Sequence, residues 1–288
     1  SAVEGASIRA RVAAAAVALS GGGVAVSVAG GGAVATNMIG GTTRARVSEA
    51  RLKAAGDVAV AAANNSRIEA EVAALAAGAS IGGVAVGASI GTGVAVNVIG
   101  SAITQTIDGR DKTTQSGGLV IEALSKNTTI EAGGTLAVTA DSGQTIRATV
   151  AAGSVALSGG AVAISAAGAG AGAHNRIGAL VSASIDGDGA GDKITAGDVT
   201  VAARDSSVLA VDTGAASVAA AFGFLGGASF SLAVAAADNV IANSVTAAVR
   251  NLGGSGGLTA RGAVSVTASE NASLTSRSRA AAMAGNAA

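Results

Sequence analysis

The chain has no cysteine, no proline, no tryptophan and no tyrosine, and three phenylalanines and one histidine among its 288 residues. Without cysteine there is no disulfide staple and no thiolate metal site, a pattern that fits a secreted bacterial protein stabilised by its fold. The 44 glycines do not recur at every third position and no proline accompanies them, which excludes collagen. With aromatics at 1% there is almost nothing on which bases or sugar rings could stack. Eighteen basic and 18 acidic residues cancel and no basic run occurs, so nucleic acid is not an expected partner. A mean hydropathy of +0.56 argues against disorder. The core must be built from Val, Ile, Leu and Ala. The opening SAVEGASIRA has neither the basic nor the apolar region of a signal peptide.

What the chain does have is self-similarity. A cassette beginning at Ile8 (IRARVAAAAVALSGGGVAVSVAGGGAVATNMIG) returns at Ile68, Ile146 and Leu209, and is begun once more at Leu274. The intervals are 60, 78, 63 and 65 residues, which divides the chain into repeats 8–67, 68–145, 146–208, 209–273 and a partial 274–288. Asn37, Asn97 and Asn175 stand 29 residues after their starts and Asn239 stands 30 after its own. Repeating sequence implies repeating structure, here one continuous array over residues 1–288. Ser1–Ile8 reads like Thr267–Leu274, so both ends are in the same phase without recognisable caps. The expectation is a segment of a longer chain or a subunit that stacks end to end.

The second part of each cassette alternates aliphatic residues around a Gly turn, as in Leu52-Lys-Ala-Ala-Gly56-Asp57-Val58-Ala-Val60 and Ile194-Thr-Ala-Gly197-Asp198-Val199-Thr-Val201. This predicts short strands with aliphatic side chains pointing inward. The starts alternate with charge (Arg9 and Arg11, Glu69 and Glu71, Arg147), which predicts solvated ribs. Between these parts, segments such as Val24-Ala-Val26-Ser-Val28 alternate large and small with no charge, as a strand covered on both faces would. The uncharged small-residue faces are expected to pack against another layer or another filament. The predicted fold is all-β, a parallel β-solenoid. Strands of about five or six residues, three to a rung, imply two to three rungs per cassette and a rod on the order of 60 Å long. The extra length of the second copy is assigned to a loop around Asp108–Gly118.

Two other folds compete. The Ala-rich Val12–Leu19 could be helical, but clustered Gly and Val-x-Val alternation oppose it. Val12–Gly40 has the length of a membrane span. Triple glycines interrupt it, and it lacks interfacial aromatics and a charged downstream flank, so membrane insertion is not expected.

The GGVAV…VAVNVIG text followed by AGDVxVxA resembles the repeats of large secreted bacterial filamentous adhesins, of the filamentous-haemagglutinin-like and leukotoxin-type groups. The resemblance covers almost the whole chain. It implies a secreted, extracellular or cell-surface, right-handed β-helical stalk that displays binding modules at a distance from the cell. The in-phase ends and uncharged faces add an expectation of self-association, head to tail or laterally, with host or neighbouring cells as the other expected partner.

Few residues suggest chemistry. Asn37, Asn97, Asn175 and Asn239 are expected at equivalent corners, where Asn tolerates left-handed backbone. Two or three rungs between copies would prevent a continuous amide ladder. Asp186, Asp188 and Asp192 form the one acidic cluster with metal-like spacing, a solvated turn or a weak Ca²⁺ site, and no other cofactor is implied. The lone His174 has no carboxylate nearby in sequence. With no G-x-S-x-G motif and no P-loop, an enzyme is not expected. Phe222, Phe224 and Phe230 are assigned to core filling, with a contact patch for a neighbouring subunit as the alternative.

Overall fold

The computed structural model describes residues 1–288 except 101–102, 108–109, 116–118, 190, 254–255 and 288. The fold is a parallel β-solenoid with no helix among the described residues. The first turn comprises β1 (Ala2–Glu4), the long β2 (Ser7–Ile39), β3 (Thr42–Ser48), β4 (Arg51–Ala54) and β5 (Val58–Asn64). The second has β6 (Arg67–Ile99), an inserted pair β7 (Ile103–Ile107) and β8 (Arg110–Gln115), then β9 (Leu119–Lys126), β10 (Thr129–Ala132) and β11 (Leu136–Ser142). The third runs through β12 (Thr145–Ile177), β13 (Ala179–Asp186), β14 (Lys193–Ala196) and β15 (Val199–Asp205). The fourth is β16 (Val208–Ile241), β17 (Ser244–Arg250), β18 (Gly257–Ala260) and β19 (Val264–Glu270), after which β20 (Ser273–Ala287) begins a fifth.

Equivalent strands stack in four parallel sheets, ordered β2-β6-β12-β16-β20, β3-β9-β13-β17, β4-β10-β14-β18 and β1-β5-β11-β15-β19. Ile8 pairs with Ile68, Ile68 with Ile146, Ile146 with Leu209, and Leu209 with Leu274. One cassette is therefore one rung. The expectation of two or three rungs per cassette and a rod of about 60 Å is overturned. Four successive rung steps rise only about 19 Å. The expected short strands do occur, but more than half of the first cassette is a single 33-residue strand. The additional residues of the second copy include the antiparallel β7–β8 pair, while part of the expected Asp108–Gly118 loop lies outside the described residues.

The long strand doubles back at its middle. Gly22, with φ of 146°, and the register slip between Gly160 and Val162 mark the reversal, a crest that four rungs share. From the crest two legs descend with their small residues facing each other. On the inward side of the first leg stand Ala74, Ala76, Gly78 and Ser80, and of the second Ala85, Gly87, Ser89, Gly91, Gly93 and Ala95. These residues are small because the backbones touch. A Cβ on Gly91 would collide with the Gly153 carbonyl oxygen, and one on Gly87 would lie 2.7 Å from the Leu157 carbonyl oxygen. Ordinary packed sheets keep about 10 Å apart. The two legs make a thin fin, closed by the small-residue faces packing on each other.

Below the fin the legs open onto the solenoid body, where the other three sheets enclose the core. Ile68, Ile99, Ile121, Ile130, Leu136, Ile146 and Ile194 are all fully buried there, as the aliphatic alternation predicts. The Gly-Asp turns are tied to the next rung: Asp57 accepts the Thr135 N–H and Asp198 the Ala263 N–H, both at 2.7 Å. Such a carboxylate satisfies a turn donor that the ladder leaves free.

Candidate functional surface

The marker asparagines form a continuous ladder. Asn37 Nδ2 donates to Asn97 Oδ1 at 2.8 Å, Asn97 to Asn175 at 2.7 Å, and Asn175 to Asn239 at 2.8 Å. This reverses the sequence expectation, because the copies are one rung apart. Their side chains point inward at the root of the second leg, and none is among the residues with positive φ. Left-handed backbone occurs instead just after the strands of the β3-β9-β13-β17 sheet, at Glu49, Asn127 and Asn251. An amide ladder uses both ends of each side chain and so favours in-register stacking of identical residues.

A second buried polar column stands at the entrance to the first leg. Asp205 accepts from Asn243 Nδ2 at 2.8 Å, from Ser207 Oγ at 2.8 Å and from the Ser207 N–H at 3.2 Å. One rung pair earlier, Asn64 Oδ1 accepts from Ser66 and from Gln144, and Asn64 Nδ2 reaches Thr43 and Glu4. Sequence reading missed this column because its members differ in type from rung to rung.

The charged ribs lie on the outer side of the first leg's root, where Arg9 meets Glu69 at 2.6 Å and Arg11 meets Glu71 at 3.2 Å. Together with Arg147 and Thr149 they border an open groove of about 350 Å³. His174 Nδ1 lies 2.8 Å from Asp238 Oδ2, a partner 64 residues later that the register supplies. Of the acidic cluster, Asp186 faces Arg250 at 3.4 Å and accepts from Asn251, while Asp192 accepts the Asp188 N–H at 2.8 Å. Among the described residues no group of three His, Cys, Asp or Glu side chains is arranged to hold a metal ion.

The outer faces of the fin are apolar. Val17, Leu19, Val26, Val28, Leu75 and Ile90 all project into solvent. Phe222, Phe224 and Phe230 are 56%, 90% and 64% exposed, which corrects their assignment to the core. Phe224 and Leu225 sit at the crest, where the fourth copy holds one residue more than the others; this addition accounts for the 30-residue offset of Asn239. No helix among the described residues is long and apolar enough to cross a membrane. Compared with protein-family models, curated proteins and solved structures, the chain matches none.

Proposed function

We propose that the chain is a structural segment of an extracellular fibre or adhesin stalk, rigid along its axis. The observation that carries this reading is the pairing of every complete cassette with the next along both legs, interrupted only at the crest and reinforced by the Asn37–Asn97–Asn175–Asn239 ladder. Each rung is held to its neighbours by backbone hydrogen bonds along the axis, so pulling along it must break many at once. The resemblance of the repeats to filamentous adhesins agrees with this role.

Length alone does not account for the design. A compact solenoid rises about 4.8 Å for every 20–25 residues, whereas the first cassette spends 60 residues on one such step. The surplus goes into the fin, which favours a second reading beside the first: a module that binds through its lateral surface. Single-molecule stretching and negative-stain microscopy of the native material test the stalk role. Thin rods that resist axial force support it, and compact particles that yield at low force refute it.

A further inference from the structure

We propose that the fin is a lipid-inserting blade, whose two outer faces and crest enter the acyl region of a bilayer while the solenoid body stays at the surface. The inference is independent of the stalk reading. Its first support is the distribution of charge. Val12–Ala35, Val72–Ala95, Val150–Ala173 and Thr213–Ala237 contain no charged residue, so the blade is uncharged in all four complete rungs. Charge resumes at Arg11, Glu71 and Asp212 on the first leg and, in the third and fourth rungs, at Arg176 and Asp238 on the second. At the root of the first leg five arginines (67, 9, 11, 147 and 277) stand against Glu69, Glu71 and Asp212, an excess of two positive charges, while Arg279 of the partial fifth copy stands opposite Gly214, just inside the blade. An arginine-rich margin beneath an apolar blade suits anionic headgroups above hydrocarbon.

The second support is depth. Val12–Gly21 and Val24–Ala35 extend for roughly 33–40 Å at about 3.3 Å per residue, so a blade tilted from the bilayer normal keeps both faces and crest within a hydrocarbon thickness of about 30 Å. The third is backbone saturation. A bilayer admits only backbone whose hydrogen bonds are made internally. Residues 67–99 and 145–177 pair on both sides along the axis, so the inner rungs of the blade present no open ladder; among the described residues open ladder is confined to the outer edges of β2, of β20 and of the second leg of β16. The hydroxyls of Ser27, Ser80, Ser89, Ser158, Ser165 and Ser217 are enclosed in the seam between the legs. The fold also answers one sequence argument against insertion, since the first glycine triplet, Gly21–Gly23, forms the crest.

A second copy of the chain is the competing occupant. A flat partner would cover one leg and leave the other, with Phe224 and Leu225, in water; a bilayer covers both faces and the crest together.

The test is flotation of the full chain with vesicles of phosphatidylcholine, and of phosphatidylcholine mixed with phosphatidylglycerol. An environment-sensitive fluorophore is placed at Ile90→Cys on the blade or Lys53→Cys on the body. The expected result is co-flotation, stronger with the anionic lipid. The Ile90→Cys probe should shift to the blue and be quenched by brominated acyl chains, with the Lys53→Cys probe unchanged. Val26→Asp combined with Ile164→Asp should abolish flotation while the far-ultraviolet β spectrum persists. A chain that stays in the aqueous fraction with both vesicle types overturns the proposal. So does sedimentation equilibrium showing stable pairs that vesicles do not dissociate, which would make the second copy the occupant.

Discussion

Asn97 donates a 2.7 Å hydrogen bond to Asn175, a residue 78 positions further along the chain. The same Asn97 accepts from Asn37, so its amide is used at both ends while fully buried. Asn97→Ala should therefore strand a donor above and an acceptor below, costing about 1–3 kcal/mol. Asn239→Ala, at the more exposed end of the ladder, should cost less. Denaturant unfolding of the two variants, compared at matched slope, decides the point, and equal losses would mean that the ladder adds nothing.

The glycine of the seam is a spacing device. Gly91→Ala must push the legs apart against the Gly153 carbonyl, at a cost of about 1–3 kcal/mol. Gly30, with open space where its Cβ would be, should accept Ala with a change within about 0.5 kcal/mol. Hydrogen exchange read on the legs should accelerate for the first variant and not for the second.

Several seam hydroxyls have no hydrogen-bond partner among the described residues, including those of Ser27, Ser80 and Ser89. Burying a hydroxyl without a partner is unfavourable. Ser80→Ala should thus be neutral or stabilising by up to about 1 kcal/mol. Ser158 is different, for its hydroxyl lies 2.7 Å from that of Ser165, and Ser158→Ala should cost about 0.5–1.5 kcal/mol. Thermal melting should separate the pair, with only Ser158→Ala lowering the melting temperature.

Asp205 is 2% exposed and relies on Asn243 and Ser207 for its hydrogen bonds. Removing the amide with Asn243→Ala should cost about 1–3 kcal/mol, since bonds to a buried charged group count for more than neutral ones. Glu69→Gln, which weakens the solvent-exposed contact with Arg9, should change stability by no more than about 1 kcal/mol. A comparable loss from both variants would show that burial is not what sets the difference.

Much of this architecture is legible in the sequence. Cassette spacing and period-two alternation give the all-β array, and the Leu/Ile-x-Ala…Val-x-Val phrase gives the inward aliphatics from Leu52 to Val201. Rung length does not follow from strands of ordinary length, because a single strand here runs 33 residues from Ser7 to Ile39. A clue was present. No shorter period of 20–25 residues subdivides the text between Ile8 and Ile68, and the constant offset of the asparagines requires them to stack if each copy is one turn. The inside-out fin eludes the usual rule that large aliphatics are buried. In Val24–Val28 the Ala and Ser are inside, since only small side chains fit where two backbones meet. The His174–Asp238 contact and the Asp205 column depend on the register, which local sequence does not contain.

The extra residue at Phe224–Leu225 leaves both flanking legs in step, because pairing resumes at Gly226 opposite Val162. Length can therefore vary at that turn without disturbing the alternation on either side. Peptides grafted there in successive copies would be presented as a row with hydrogen-bond spacing, an antigen comb whose pitch is set by the backbone and not by any linker.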